Sequence, residues 1–341
     1  MTAGRTRRPF PIRRCVGVVI IPLLCWAVMT LACRLAGIRL FSGLSTWQLW
    51  LRGLTYVLLL SFGVSINMHT GRFDFSAGAV MLFGGVVGAM LAYGRGWGPW
   101  AMLVISLVVG AAAGCVTGVL YVLLRLPPMI IGLGMTLLLE GVVAILTDGC
   151  KPVGFGTNAD YYRFSVNMPA MLVIGGLALL VMTVLFHYTR FGYDYRALQT
   201  GQRIAVNAGV DERTNAVICY TVAGAMLGAA GALSICGTNG VTPTINFSTI
   251  ASMFACFLPL FFSGFIGKYV NKQAAILLGC VGYEFIQIGF GQLSFSIAAF
   301  TADVYKVIEA VILVAFLIYL NNEGFIQDLV TFRRFRKRTA S

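Results

Sequence analysis

Charge is scarce in this chain. Asp, Glu, Lys and Arg make up 11% of its 341 residues, where an ordinary soluble domain carries about 25%, and the deficit excludes a soluble globular enzyme. Catalytic and metal-binding signatures are missing as well. There are two histidines, His69 and His187, both near predicted helix ends and read as interfacial residues, and there is no His-Glu-x-x-His pair. No Gly-x-Gly-x-x-Gly run is present. The one Gly-Lys pair, Gly267-Lys268, is followed by Tyr269 and lacks the upstream glycine of a phosphate-binding loop, so the chain is not expected to hydrolyse ATP. Nine cysteines occur without a Cys-x-x-Cys pair. Most fall in apolar stretches, where they serve as small apolar residues; Cys150 alone lies where a disulfide is worth checking.

Apolar residues fill the space that charge vacates. They make up 58% of the chain, with a mean hydropathy of +0.85, which describes a polytopic membrane protein. A helix needs about 20 apolar residues to span roughly 30 Å of hydrocarbon. Ten such segments are predicted, at about 15–33, 49–67, 75–93, 99–124, 127–147, 169–188, 216–236, 249–266, 273–290 and 304–320. The first lacks a small-residue cleavage site and is read as a retained helix. What remains is scattered among loops and ends and leaves no room for a separate soluble domain of typical size, about 100 residues or more, so any ATP-hydrolysing domain is expected on another chain.

The net charge of +13 suggests nucleic acid in a soluble protein, but its placement argues otherwise. Basic residues crowd both ends, at Arg5, Arg7, Arg8, Arg13 and Arg14 and again at Arg333, Arg334, Arg336, Lys337 and Arg338. With both termini assigned to the cytoplasm, eighteen of the 25 Lys and Arg residues fall on the inner side, as the positive-inside rule requires. The expected partner of this charge is the membrane surface, with no nucleic acid. Eight spans with re-entrant pieces keep the same parity as ten. The predicted organisation is a basic cytoplasmic arm at 1–14, one transmembrane domain at 15–320 and a basic cytoplasmic tail at 321–341.

Two loops are long, 148–168 outside and 189–215 inside. The inner loop contains Gln202-Arg203-Ile204-Ala205-Val206-Asn207-Ala208-Gly209. Ile204 and Ala208 are one helical turn apart and Gly209 is placed to end a short helix, giving a surface that another protein can grip. Small residues recur at helix-packing intervals, Gly84 with Gly88, Gly110 with Gly114 and Gly118, and Gly224 with Gly228. These predict close contacts within the bundle. Pro127-Pro128 starts the fifth segment, where a missing amide costs little.

Ionisable groups inside a membrane are functional candidates by default. Asp74, in Gly71-Arg72-Phe73-Asp74-Phe75-Ser76, stands before the third segment, where it can cap that helix and pair with Arg72 or touch a solute. Glu140, Glu284 and Glu309 lie within segments five, nine and ten. Each either bonds to a neighbouring helix or carries a coupling proton or cation.

Three stretches taken together resemble one family, the membrane subunits of the ribose-type ATP-binding-cassette importers. Asn67 to Gly78 resembles the family's Gly-Gly-Ile-Asp-Leu-Ser-x-Gly signature. Gly114 to Gly134, with Gly118, Leu126-Pro127-Pro128-Met129-Ile130 and Leu133-Gly134, resembles the passage from the fourth helix to the fifth. Thr189-Arg190-Phe191-Gly192, with Ala205, Ala208-Gly209-Val210, Gly224 and Gly231, resembles the cytoplasmic coupling loop and the helix after it. Arg72-Phe73 departs from the pattern by placing a charge and an aromatic where the family has neither, and Phe262 to Lys268 keeps only two glycines of the family's turn. Both departures point to a divergent subgroup.

The resemblance implies an all-α permease of about ten transmembrane helices in a bacterial inner membrane, like the type II importers. It implies a small polar solute, a monosaccharide, received from an extracytoplasmic solute-binding protein. ATPase subunits using ATP and magnesium, and a second permease subunit, identical or similar, complete the assembly; no cofactor binds this chain. Gln202, Arg203, Ile204, Ala205, Asn207, Ala208 and Gly209 would form the ATPase-coupling helix. The pathway or gate is placed at Asn67, Phe73, Asp74, Phe75, Ser76 and Glu140. The rival reading is an ion- or proton-coupled secondary transporter using Glu140, Glu284 and Glu309.

Overall fold

The computed structural model describes residues 12–296 and, past them, residues 304, 307, 308, 310, 311 and 314. Most of the basic arm, Glu309, the bulk of the tenth segment and the basic tail fall outside the described residues. Thirteen helices are described: α1 Ile12–Leu35, α2 Leu44–Met68, α3 Ala77–Gly94, α4 Pro99–Leu124, α5 Pro128–Leu146, α6 Asp160–Ser165, α7 Met168–Tyr188, α8 Arg190–Thr200, α9 Gln202–Asn207, α10 Glu212–Thr238, α11 Ile250–Phe254, α12 Phe257–Ile266 and α13 Lys272–Ser296. Eight of them, α1 to α5, α7, α10 and α13, are long and apolar enough to cross a membrane. This is an all-α polytopic membrane protein.

The eighth apolar segment of the sequence behaves differently. It divides into α11 and α12 around Ala255 and Cys256. Pro259, the third residue of α12, has no amide to donate to the Ala255 carbonyl, so a continuous helix loses a bond at that turn. Pro128 opens α5 without such a cost, after Pro127 in an extended conformation (φ −53°, ψ 136°), because first-turn amides have no helical partner.

Glycines hold the centre of the bundle together. A Cβ on Gly110 of α4 would run into the Gly224 carbonyl of α10, one on Gly224 would run into the Gly110 carbonyl, and one on Gly228 would strike the Ser106 carbonyl. Gly84 of α3 faces the Cα of Gly228 at the same junction. In a bundle where lipid is as apolar as leucine, such backbone approach replaces the hydrophobic effect as the source of helix association. The three recurring glycine sets therefore meet one another inside the chain. α1 packs on α13 and α7 packs on α2 at the periphery.

The long 148–168 loop is built rather than loose. Its β1, Val153–Gly154, pairs antiparallel with β2, Gly240–Val241, just past α10. Tyr161 stacks on Phe155 with centroids 4.0 Å apart and donates its hydroxyl to the Trp97 carbonyl at 2.5 Å. Cys150 in this loop is a free thiol, as are Cys25, Cys33, Cys115, Cys219, Cys236, Cys256 and Cys280.

Candidate functional site

At one end of the bundle, α7 turns into α8 through Thr189, whose hydroxyl oxygen accepts from the Gly192 amide at 3.2 Å. α8 lays Gly192, Tyr195 and Leu198 inward, and Tyr195 donates to the Ile66 carbonyl of α2 at 2.9 Å. α9 follows. It ends at Gly209, whose φ of +94° suits glycine, while the Val210 amide returns to the Ala205 carbonyl at 3.1 Å. Asp211 then caps α10, accepting from the Arg213 and Thr214 amides at 3.0 and 3.4 Å. The Thr214 hydroxyl and these amides hold the Asp211 carboxyl below its usual range. That cap is therefore complete above the ordinary carboxylate pKa and is lost as pH falls through the lowered one.

The sequence pairs Ile204 with Ala208 as an apolar face. In the fold both are exposed, and Ala205 is the one position of α9 turned into the protein. Ile204 is 76% exposed and Val206 41%, so two branched apolar side chains project outward, flanked by exposed Gln202, Arg203 and Asn207.

At the turn from α2 to α3 a local turn forms in place of the expected helix cap: Asp74 accepts from the Ser76 amide and the Ser76 hydroxyl, both at 2.8 Å, and Ser76 precedes α3, whose own amides take no side-chain cap. The expected pairing with Arg72 does not form. Asp74 is occupied by Ser76 and packs against Gly132 of α5, while Arg72 turns away to Glu212 at the start of α10, 3.8 Å distant. The Arg72 guanidinium is 3% exposed and also lies over the Tyr121 ring. Glu212 in turn accepts a hydrogen bond from the Gln202 side chain. A polar chain thus runs from α9 through α10 to the α2–α3 turn. Asn67 accepts the Thr70 and Arg72 amides on its carbonyl, and Phe73 packs edge-on against Phe75 and Phe257. The Phe75 carbonyl accepts from Thr136 of α5 at 3.1 Å.

Glu140 lies on α5, 2% exposed. It accepts the Phe247 amide at 2.9 Å, the Thr249 amide at 3.0 Å and the Thr249 hydroxyl at 2.7 Å. The 242–249 segment, returning from the end of α10, is thereby clasped against the bundle at Thr249, whose carbonyl lies so close to Gly78 of α3 that no Cβ fits there. Asn246 and Phe247 hold φ of +69° and +63°, a conformation costly for non-glycine residues. Glu284 lies elsewhere, buried in α13 against Gly53 of α2. Asp74 and Phe75 thus meet α5 at Gly132 and Thr136, Glu140 farther along α5 holds the 242–249 segment, and the α9 residues stand apart from both, linked to the Arg72 turn through Glu212.

Sequence reasoning missed the 242–249 segment. Its signal was the polar run Thr242-Pro243-Thr244-Ile245-Asn246-Phe247-Ser248-Thr249 between two apolar segments. Replacing Glu140 with alanine leaves two amides and a hydroxyl without their acceptor, each worth about 1–3 kcal/mol when buried. Hydrogen exchange at Phe247 and Thr249 is expected to accelerate at least about tenfold, with little change in α7 or α8. Unchanged protection at both amides would mean that the clasp does not hold the segment.

Comparisons with known proteins agree on one family. A family model described as "Branched-chain amino acid transport system / permease component" matches residues 48–317. The ribose import permease protein of Escherichia coli (strain K12) is 28% identical over 193 residues, 54% of this chain and 60% of that protein. The galactofuranose transporter permease protein of the same strain is 27% identical over 267 residues, 77% of this chain and 75% of that protein. The autoinducer 2 import system permease protein of Yersinia pestis (strain Pestoides F) is 28% identical over 210 residues, 60% and 59% of the two chains. The chain spans about 60% of the length of the ribose permease that it matches. The family match across most of the chain, on a bundle with eight span-length helices, places this protein among the transport-system permease components, as a multi-pass protein of the inner membrane.

Proposed function

We propose that this chain is the transmembrane permease subunit of an ATP-binding-cassette importer that translocates a small polar solute, a monosaccharide received from an extracytoplasmic binding protein. Residues 15–320 form its single transmembrane domain, with the α9 end, the 1–14 arm and the 321–341 tail in the cytoplasm. It pairs with a second permease subunit, identical or similar. ATP and magnesium are used by separate ATPase subunits, which grip α9, residues Gln202 to Gly209.

The observation that carries this reading is the route by which α9 reaches the interior. Ile204 and Val206 offer an exposed apolar grip, and Gln202, Glu212 and Arg72 link that grip to the turn before α3. A pull on α9 is transmitted to Phe73, Asp74, Phe75 and Ser76, and through Thr136 to α5. Engagement of Glu140 by three donors favours an importer over an ion-coupled transporter, because it gives that carboxylate a structural task, holding the 242–249 segment.

The link is tested by substitution. Arg72→Met and Glu212→Gln, made singly and together in the reconstituted complex, are expected to leave basal ATP hydrolysis within about twofold. Each is expected to cut solute-stimulated uptake about tenfold, the double variant losing no more than either single one. Losses that multiply would show two independent roles and sink the link.

A further inference from the structure

A cavity of about 400 Å³ opens between the end of α4 and the start of α10, at the end of the bundle that carries α9. Tyr121, Val122, Arg125, Leu126, Glu212 and Arg213 line it, so two guanidinium groups and one carboxylate meet there. The carboxylate is already committed: Glu212 lies 3.8 Å from the Arg72 guanidinium and accepts from the Gln202 side chain. Asp211, the acidic residue beside it, holds the Arg213 and Thr214 amides as the cap of α10. Arg125 and Arg213 are exposed and make no ion pair among the described residues. Arg72 adds a third positive charge behind the wall. Its guanidinium, 3% exposed, lies 5.8 Å from the centre of the Tyr121 ring, and its Nε and Nη1 make no hydrogen bond among the described residues.

We infer that this cavity seats the phosphate of an anionic glycerophospholipid. Guanidinium groups grip phosphate through paired, charge-assisted hydrogen bonds, and basic recesses between transmembrane helices are suited to acidic headgroups. The backbone sets Arg125 at the rim: it ends α4 in a left-handed conformation, φ +53°, with its amide returning to the Tyr121 carbonyl at 3.3 Å. The volume holds about thirteen waters at about 30 Å³ each, room for a glycerophosphate headgroup. The apolar lining distinguishes a lipid from free phosphate. Beside Val122 and Leu126 stand Leu123 and Leu124 on the last turn of α4, 70% and 54% exposed. That surface takes acyl chains and offers an inorganic ion nothing. Glu212 is the one opposing charge in the lining, and Arg72 and Gln202 hold it.

The test titrates the full-length permease, in a neutral detergent, with dioctanoyl phosphatidylglycerol, dioctanoyl phosphatidylcholine or inorganic phosphate, and follows its thermal midpoint by tryptophan fluorescence. A ligand of the folded state raises the midpoint with a saturable dependence on concentration. Phosphatidylglycerol is expected to act with an apparent Kd at least about tenfold below that of phosphatidylcholine, and inorganic phosphate to leave the midpoint where it was. Arg125→Gln combined with Arg213→Gln is expected to raise the phosphatidylglycerol Kd at least about tenfold. Both side chains are exposed, so the exchange leaves packing intact, and each titration is read against the variant's own midpoint. Arg190→Gln removes an exposed arginine at the start of α8 and is expected to stay within about twofold of the original. No shift with phosphatidylglycerol, or an equal shift with phosphatidylcholine or inorganic phosphate, overturns the lipid site. An unchanged Kd in the double variant overturns it too, as does an equal loss from Arg190→Gln, which would reduce the effect to diffuse surface charge.

Discussion

Ile204→Glu is expected to lower solute-stimulated ATP hydrolysis in the assembled complex at least about thirtyfold while the permease remains folded. The side chain is 76% exposed, so its removal leaves no cavity in the protein and its replacement strains nothing. What changes is the surface that α9 offers. An apolar anchor entering a partner's groove is worth about 2 kcal/mol or more when truncated, and a carboxylate in the same place adds an unpaired charge that the groove must desolvate. Ile204→Leu keeps the apolar volume and is expected to stay within about twofold of the original. Ala205→Glu is a different experiment. That methyl is buried, so the charge is forced into the seam between α9 and the bundle, and the helix itself is expected to come loose. The measurement is ATP hydrolysis with and without solute, together with size-exclusion behaviour of the isolated permease. A folded Ile204→Glu protein with normal stimulated hydrolysis would remove α9 from the coupling role.

The largest effect on folding is expected at the junction of α4 and α10. Gly224→Leu places a four-carbon side chain where a single Cβ already meets the Gly110 carbonyl, and neither backbone can retreat without parting α4 from α10, the most intimately packed helix pair among the described residues. Overpacking costs about 1–3 kcal/mol where flexible side chains can give way. Here the obstacle is main chain, so loss of the folded, monodisperse permease is expected. Gly134→Ala is the matched control. Nothing lies within 4 Å of a Cβ at that position, and in a helix alanine is favoured over glycine by about 1 kcal/mol; its thermal midpoint in detergent should hold or rise. Similar behaviour of the two variants would show that the glycines are not there for contact.

Which of these features could be seen in the sequence follows from how each is encoded. The glycine repeats were legible because close helix packing needs small residues at helical spacing, and Gly84, Gly110, Gly224 and Gly228 all meet in the fold. Pro127-Pro128 and Gly209 announced a helix start and a helix end by backbone chemistry alone. The docking of the 242–249 segment on Glu140 was not legible, since Glu140 grips it mainly through main-chain amides, which any residue supplies. Arg72 was misassigned for a related reason. Asp74 is its neighbour in the chain, yet the carboxylate that it faces, Glu212, arrives from another helix far along the sequence. That α9 turns Ala205 inward was not legible, because a six-residue helix has too few positions for periodicity to say which side is buried. The break at Ala255 and Cys256 was hidden inside an unbroken apolar run, where Pro259 was its one mark.

The central claim is that ATP hydrolysis on partner subunits, acting through α9, drives solute through this bundle. The most direct measurement is uptake of labelled monosaccharide into proteoliposomes holding the permease with its ATPase subunits and binding protein, with ATP supplied on the α9 side and a protonophore present. The account predicts uptake that requires ATP, survives collapse of the proton gradient and disappears with Ile204→Glu. Uptake that follows an imposed proton gradient, without ATP or ATPase subunits, would contradict it.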